Sequence, residues 1–177
     1  MGSEPVILLV SGSTRDASTN TAALRTVQAT APAGVTTVLY SGLTELPQFV
    51  PGDAPAPAAV TGLRQQLAAA DAVLFCTPEY AGLLPGALKN LLEWAVGSGE
   101  LSDKPVAWIN VAFEGRGEGA VASLRTVLGY VGAEIVDDAS GRVTVSREAV
   151  GADGLVRDEA VRVQLADRLA HLVARLG

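Results

Sequence analysis

Two stretches of the chain run apolar without a break, Val6-Ile-Leu-Leu-Val10 and Ala72-Val-Leu-Phe-Cys76. A strand with one wet face alternates apolar and polar residues, whereas a strand covered on both faces does not. These runs predict buried strands of a parallel sheet. Further strands are expected at Val35 to Tyr40, within Lys104 to Ala112, and at Glu134 to Val136, with a short extended piece at Arg142 to Ser146. Between them the apolar spacing becomes helical. Helices are predicted over Thr19 to Thr30, Ala59 to Ala70, Pro85 to Val96, Ala120 to Tyr130 and Arg157 to Leu176. Leu88, Leu91, Leu92 and Ala95 mark the apolar side of the third.

Strands that alternate with helices pair in parallel through right-handed crossovers. Five such units predict a flavodoxin-like, doubly wound five-stranded parallel sheet of order 2-1-3-4-5, with helices on both faces. Residues 1–177 are read as one domain. The proline-bearing segment from Ser41 to Ala58 is expected to be a loop, with Leu46-Pro-Gln-Phe49 tucked onto the body; Ala54-Pro-Ala-Pro-Ala58 belongs to it and is not a domain linker. In such folds ligands bind at the carboxyl ends of the strands, so the loops there are where chemistry is sought.

Composition narrows the choice of ligand. Charged residues are 18% of the chain and the net charge is −6, with no basic cluster to replace phosphate counterions, so nucleic acid is not an expected partner. The apolar runs are too short to span a bilayer, and no basic stretch followed by an apolar one opens the chain; no membrane partner and a cytoplasmic location are expected. One cysteine and one histidine leave no disulfide and no Cys/His metal site, and argue against a Ser-His-Asp triad. His171 is read as a surface or packing residue and Cys76 as a small core residue.

The first loop, Ser11-Gly-Ser-Thr-Arg-Asp-Ala-Ser-Thr-Asn-Thr21, is small and polar and ends at a helix N-terminus. Free N–H groups and the helix dipole attract an anion there, and an arginine grips two oxygens at once. This suits a phosphate monoester; Ser18 or Asn20 acting only as a helix cap is the alternative. The loop matches neither the Gly-x-x-x-x-Gly-Lys-Ser/Thr nor the Gly-x-Gly-x-x-Gly pattern.

Gly12-Ser-Thr-Arg-Asp-Ala-Ser-Thr-Asn20 resembles the Gly-Ser-x-Arg-x-x-Ser-x-Asn phosphate loop of the NAD(P)H-dependent FMN reductase family, which includes bacterial quinone and chromate reductases. Pro78-Glu-Tyr-Ala-Gly-Leu-Leu-Pro-Gly-Ala-Leu-Lys-Asn-Leu-Leu-Glu-Trp94 is similar to its second signature, Pro-Glu-Tyr-Asn-x-x-x-Pro-Gly-x-Leu-Lys-Asn-x-x-Asp-Trp. The resemblance implies non-covalent FMN, with NAD(P)H as co-substrate. Ser13, Arg15, Ser18 and Asn20 would hold the phosphate, assisted by Thr21. Pro78, Glu79, Tyr80 and Ala81 would line the isoalloxazine ring, and Gly82 would let the chain pass close to it. The loop after the fourth strand, with Ala112, Phe113 and Gly115, would approach from another side.

The resemblance further implies an oxidoreductase in which the flavin carries the chemistry and no side chain is the catalytic acid. Glu79 is read as holding its loop. Hydride would pass from NAD(P)H to FMN and on to a small-molecule acceptor: a quinone, a flavin, an azo compound or a metal oxyanion. A homodimer or homotetramer is implied as well. The sequence departs from the pattern at Ala81, where the family has asparagine, and in Ala112-Phe-Glu-Gly-Arg-Gly-Glu-Gly119, whose glycines are shifted. A flavodoxin-type electron carrier or a non-catalytic FMN-binding protein is the other reading of the same fold. The carrier's usual phosphate loop, Ser/Thr-x-Thr-Gly-x-Thr, is absent.

Overall fold

A computed structural model describes residues 4–52 and 55–177. The Met1-Gly-Ser3 start and the Ala54 end of the proline-rich loop lie outside the described residues. The apolar runs form the middle of a sheet ordered β2-β1-β3-β4-β5, built from β1 (Val6–Ser11), β2 (Thr36–Tyr40), β3 (Ala72–Cys76), β4 (Pro105–Asn110) and β5 (Glu134–Ile135). Every pairing is parallel. The crossovers carry α1 (Thr19–Ala29), α2 (Ala58–Ala69), α3 (Gly86–Val96) and α4 (Glu118–Tyr130), and α5 (Glu159–Ala174) closes the chain.

Successive residues of a strand point to opposite faces, and both faces are apolar here. Leu8, Val10, Val73 and Phe75 pack with Leu63, Leu67, Leu88 and Leu124 on one side. Ile7, Leu9, Leu74 and Cys76 pack with Leu24, Val27, Leu165 and Leu169 on the other. All five residues of β3 are buried, which is why that run shows no alternation. Burial pushes the Cys76 thiol well above its usual range and keeps it protonated.

The edge of the sheet differs from the expectation of five plain strands. A sixth strand, β6 (Gly141–Arg142), pairs with Ile109 and Asn110 of β4, while β5 pairs with Pro105 and Val106. The two are halves of one edge position, separated by a 3-10 turn at Asp137–Ala139. Pairing runs on past β6, with the N–H groups of Val143 and Val145 donating to the carbonyls of Asn110 and Val111 at 3.0 Å each. At the break the Trp108 N–H finds the Ser140 hydroxyl instead of a strand carbonyl (3.2 Å).

The segment after β2 tucks against α3 as its apolar residues predict. The Trp94 indole N–H and the Asn90 amide both donate to the Pro47 carbonyl, at 2.8 and 3.0 Å. Phe49 meets Trp94 edge to face, with centroids 5.0 Å apart. Among the described residues no helix is long and apolar enough to cross a membrane, and no three His, Cys, Asp or Glu side chains converge as metal ligands.

Candidate functional site

The loop after β1 leaves the sheet through a tight gap. A Cβ on Gly12 would stand 2.2 Å from Thr77 Oγ1 and 2.9 Å from Leu88 Cδ2, so only glycine lets the first and third loops pass side by side. Hydroxyls then fold the loop onto itself. Ser11 and Thr21 share a hydrogen bond of 2.8 Å, the Ser13 N–H donates to Ser11 Oγ, and the Arg15 N–H donates to Ser13 Oγ.

Ser18 is the N-cap of α1, accepting from the Asn20 N–H at 3.2 Å. Asn20 in turn accepts from the Cys76 thiol at 3.3 Å, tying the helix start to β3. Both residues are buried. The cap occupies one of the free amides of the first turn; α1 has no acidic residue there, so its positive end is otherwise uncompensated.

The loop after β3 turns sharply. Tyr80 and Leu83 exchange main-chain hydrogen bonds of 3.0 and 3.1 Å around Ala81 (φ 51°) and Gly82 (φ 80°). Two successive positive φ values in a two-residue connection are the pattern that favours asparagine-glycine. Gly82 is expected to let the chain pass close to the ring; within the protein a Cβ there would meet nothing within 4 Å, and its φ of 80° itself favours glycine. A close approach within the protein is found at Gly119, where a Cβ would stand 1.9 Å from the Gly82 carbonyl oxygen. The loop is clamped to the first two turns of α4 on both sides of this contact. Glu79 Oε2 accepts from the Ala120 N–H (3.1 Å), and the Leu84 N–H donates to Ser123 Oγ (2.9 Å).

The loop after β4 is held from beneath and from the side. Buried Asn110 accepts from the Ala112 N–H (3.0 Å) and donates to the Arg116 carbonyl (3.2 Å). Gly117, at φ 82°, leaves room for that side chain. From β6, the Arg142 guanidinium donates to the carbonyls of Ala112, Phe113 and Arg116 and pairs with Glu118. Neither residue was singled out from the sequence. A lone asparagine closing an apolar strand before a glycine-rich loop was a legible signal; Arg142 left none.

The three loops enclose a cleft of about 600 Å³. Arg15, Asn20, Pro78, Glu79, Tyr80, Ala112 and Phe113, all expected from the sequence, line it together. Thr77, Ser146 and Arg147 line it too and were not foreseen. Ser13 and Thr21 face an adjoining hollow of about 200 Å³ that also reaches Arg15. Ser18 faces another of about 370 Å³. Ala81, Gly82 and Gly115 shape the turns and do not line the cleft. Tyr80 and Phe113 are 48% and 61% exposed at its mouth. A slightly larger hollow, about 680 Å³, lies between Pro47, Phe49 and Trp94. Arg64 is its one charged lining residue among those described, and its guanidinium is engaged by the Trp94 carbonyl.

Comparison with known proteins agrees with this geometry. Residues 5–144 match the family described as NADPH-dependent FMN reductase. The chain is 32% identical over 179 residues to an NAD(P)H-dependent FMN reductase of Pseudomonas aeruginosa, covering 97% of this chain and 95% of that one. It is 30% identical over 122 residues to the quinone reductase of Escherichia coli K12, covering 67% of this chain and 63% of that one. Among solved structures, FerB of Paracoccus denitrificans, a flavoenzyme NAD(P)H:(acceptor) oxidoreductase, aligns with a TM-score of 0.81 at 29% identity over 96% of each chain. With this sheet order, these loops and a match that runs from before β1 to past β6, the chain belongs to the NADPH-dependent FMN reductase family of flavodoxin-like oxidoreductases.

Proposed function

We propose that the protein is an FMN-dependent NAD(P)H oxidoreductase that accepts hydride from a nicotinamide and reduces a quinone, a flavin or another small acceptor. One observation carries the reading: an anion-seeking helix start with Arg15 beside it adjoins a cleft walled by two further loops at the same end of the sheet.

The donor set fits FMN. Ser13, Arg15 and Thr21 offer hydroxyls and a guanidinium beside the uncapped amides of α1, which suits a phosphate monoester. Ser18 and Asn20 set the start of that helix and so aim its amides. Pro78, Glu79 and Tyr80 from one loop and Ala112 and Phe113 from the other would wall the ring. Bound FMN would supply the hydride acceptance and electron transfer. Main-chain N–H groups of these loops would face the reduced ring's negative charge, held in place in advance of the reaction. Glu79, already accepting from the α4 amide, acts as a strut and not as an acid.

Half-exposed Tyr80 and Phe113 suit a flat aromatic acceptor docking from solvent. Exposed Leu83 near the cleft and Val96 at the end of α3 suit contacts between copies, in keeping with a homodimer or homotetramer. The test is anaerobic titration of the FMN-loaded protein: its flavin absorbance bleaches with NADPH or NADH and returns on adding a quinone. A flavin that neither nicotinamide bleaches would leave an electron carrier; a protein that takes up no flavin would sink both readings.

A further inference from the structure

One buried amide is held at one end only. Asn20, in the first turn of α1, is 5% exposed. Its side-chain Oδ1 accepts from the Cys76 thiol at 3.3 Å. Its Nδ2 donates to nothing among the described residues, yet it is not sealed off: the unpaired, fully enclosed side-chain atoms among those residues are Trp108 Nε1 and Arg168 Nε. The open space that Asn20 lines is the cleft, beside Arg15 and Thr19. Buried polar groups find partners as a rule, so amide hydrogens turned to a cavity call for an acceptor on the ligand.

The oxygen and nitrogen ends of an amide are nearly the same size, and half a turn exchanges them. The partner of the buried end decides which way it faces. Cys76 closes β3 opposite Ser11 of β1, and its carbonyl accepts from the Gly12 N–H at 2.9 Å. The thiol therefore stands on main chain already fastened beneath the helix start. Burial keeps it protonated, so it has a hydrogen to give. That S–H takes the amide oxygen and leaves Nδ2 for the cleft. An alanine or valine would serve the core equally well as an apolar group, but would leave Oδ1 without a donor. The amide would then turn its oxygen to the cleft, where it repels an anion.

We propose that Cys76 is a positioning residue for the cofactor: its thiol orients the Asn20 amide so that Nδ2 donates to the phosphate end of FMN. This rests on the FMN reading above. The experiment dilutes the FMN-loaded full chain in steps, reads release from the recovery of flavin fluorescence, and follows the bound phosphate by phosphorus NMR. Cys76→Ala is expected to weaken FMN about tenfold and to move the phosphate resonance, whereas Cys76→Ser keeps a donor and should stay within about twofold of the parent. With Asn20→Ala already in place, Cys76→Ala should weaken FMN no further, because no amide is left to orient. If Cys76→Ala does not fold, Cys76→Val carries the same comparison. A cysteine that only fills space would change FMN affinity equally with and without Asn20, or not at all. Either result would overturn the proposal, as would a Ser variant no better than Ala, while a parent that still bound flavin left the FMN reading intact. A parent that takes up no flavin would bring down both.

Discussion

The Gly119 backbone presses against the Gly82 carbonyl so closely that a Cβ at Gly119 would stand 1.9 Å from that oxygen. This contact joins the start of α4 to the turn after β3 and sets the spacing between two walls of the cleft. Gly119→Ala gains helix propensity, about 1 kcal/mol, but must push two backbones apart. A net loss of about 1–3 kcal/mol is expected, seen as a lower melting temperature together with weaker flavin binding. A variant that melts higher would show that the backbones do not meet.

Glu79 separates a strut from an acid. Its carboxylate accepts from the Ala120 N–H at the positive end of α4. Glu79→Gln keeps an acceptor and should reduce flavin at nearly the native rate in anaerobic stopped flow, whereas Glu79→Ala should lose about 1 kcal/mol of stability. A drop of about a hundredfold in the Gln variant would instead mark a proton donor.

Ala81 holds φ 51°, a left-handed angle that costs a residue with a Cβ roughly 1–2 kcal/mol and that asparagine tolerates better. Ala81→Asn should therefore raise the urea midpoint, by about 1 kcal/mol in stability, with Ala81→Gly gaining less because glycine also loosens the unfolded chain. An Asn variant less stable than the parent would contradict the turn geometry.

Arg142 spans three carbonyls and Glu118, a load that no lysine can carry with a single ammonium. Arg142→Ala should cost about 1–2 kcal/mol and speed amide exchange across Ala112 to Gly117, leaving the amides of Tyr80 and Leu83 slow. Arg142→Lys should recover only part of the protection. Unchanged exchange in the Ala variant would remove Arg142 from the loop's support.

Tyr40 sets a pH dependence. Burial, and then the nearby Glu45 charge, push its hydroxyl up to about 12. The folded state thus holds this proton more tightly than the unfolded chain, where it leaves at about 10. The resulting stability is complete below pH of about 10 and is lost as pH rises toward about 12. In urea melts from pH 8 to 11, Tyr40→Phe should show a shallower alkaline decline than the parent; equal slopes would exclude Tyr40 as the cause.

Local features made much of this molecule legible. A strand covered on both faces must be apolar throughout, so β1 and β3 announced a parallel sheet, and periodicity placed the helices to within a few residues. The polar stretch from Ser11 to Thr21 and the Pro78 to Trp94 signature marked two walls of the cleft because their chemistry is contiguous in the chain. The edge strand was harder: β5 and β6 are two residues each, too short to carry a period, and only pairing with β4 makes them one position.

What the fold alone decided are contacts between segments distant in the chain. The clamp of Glu79, Leu84 and Gly82 on α4 and the reach of Arg142 from β6 under the loop after β4 both depend on how elements pack. Glycine shows the difference most plainly. Sequence marks where a Cβ is absent, and only packing tells whether the reason is a backbone angle, as at Gly82, or a neighbour that leaves no room, as at Gly119.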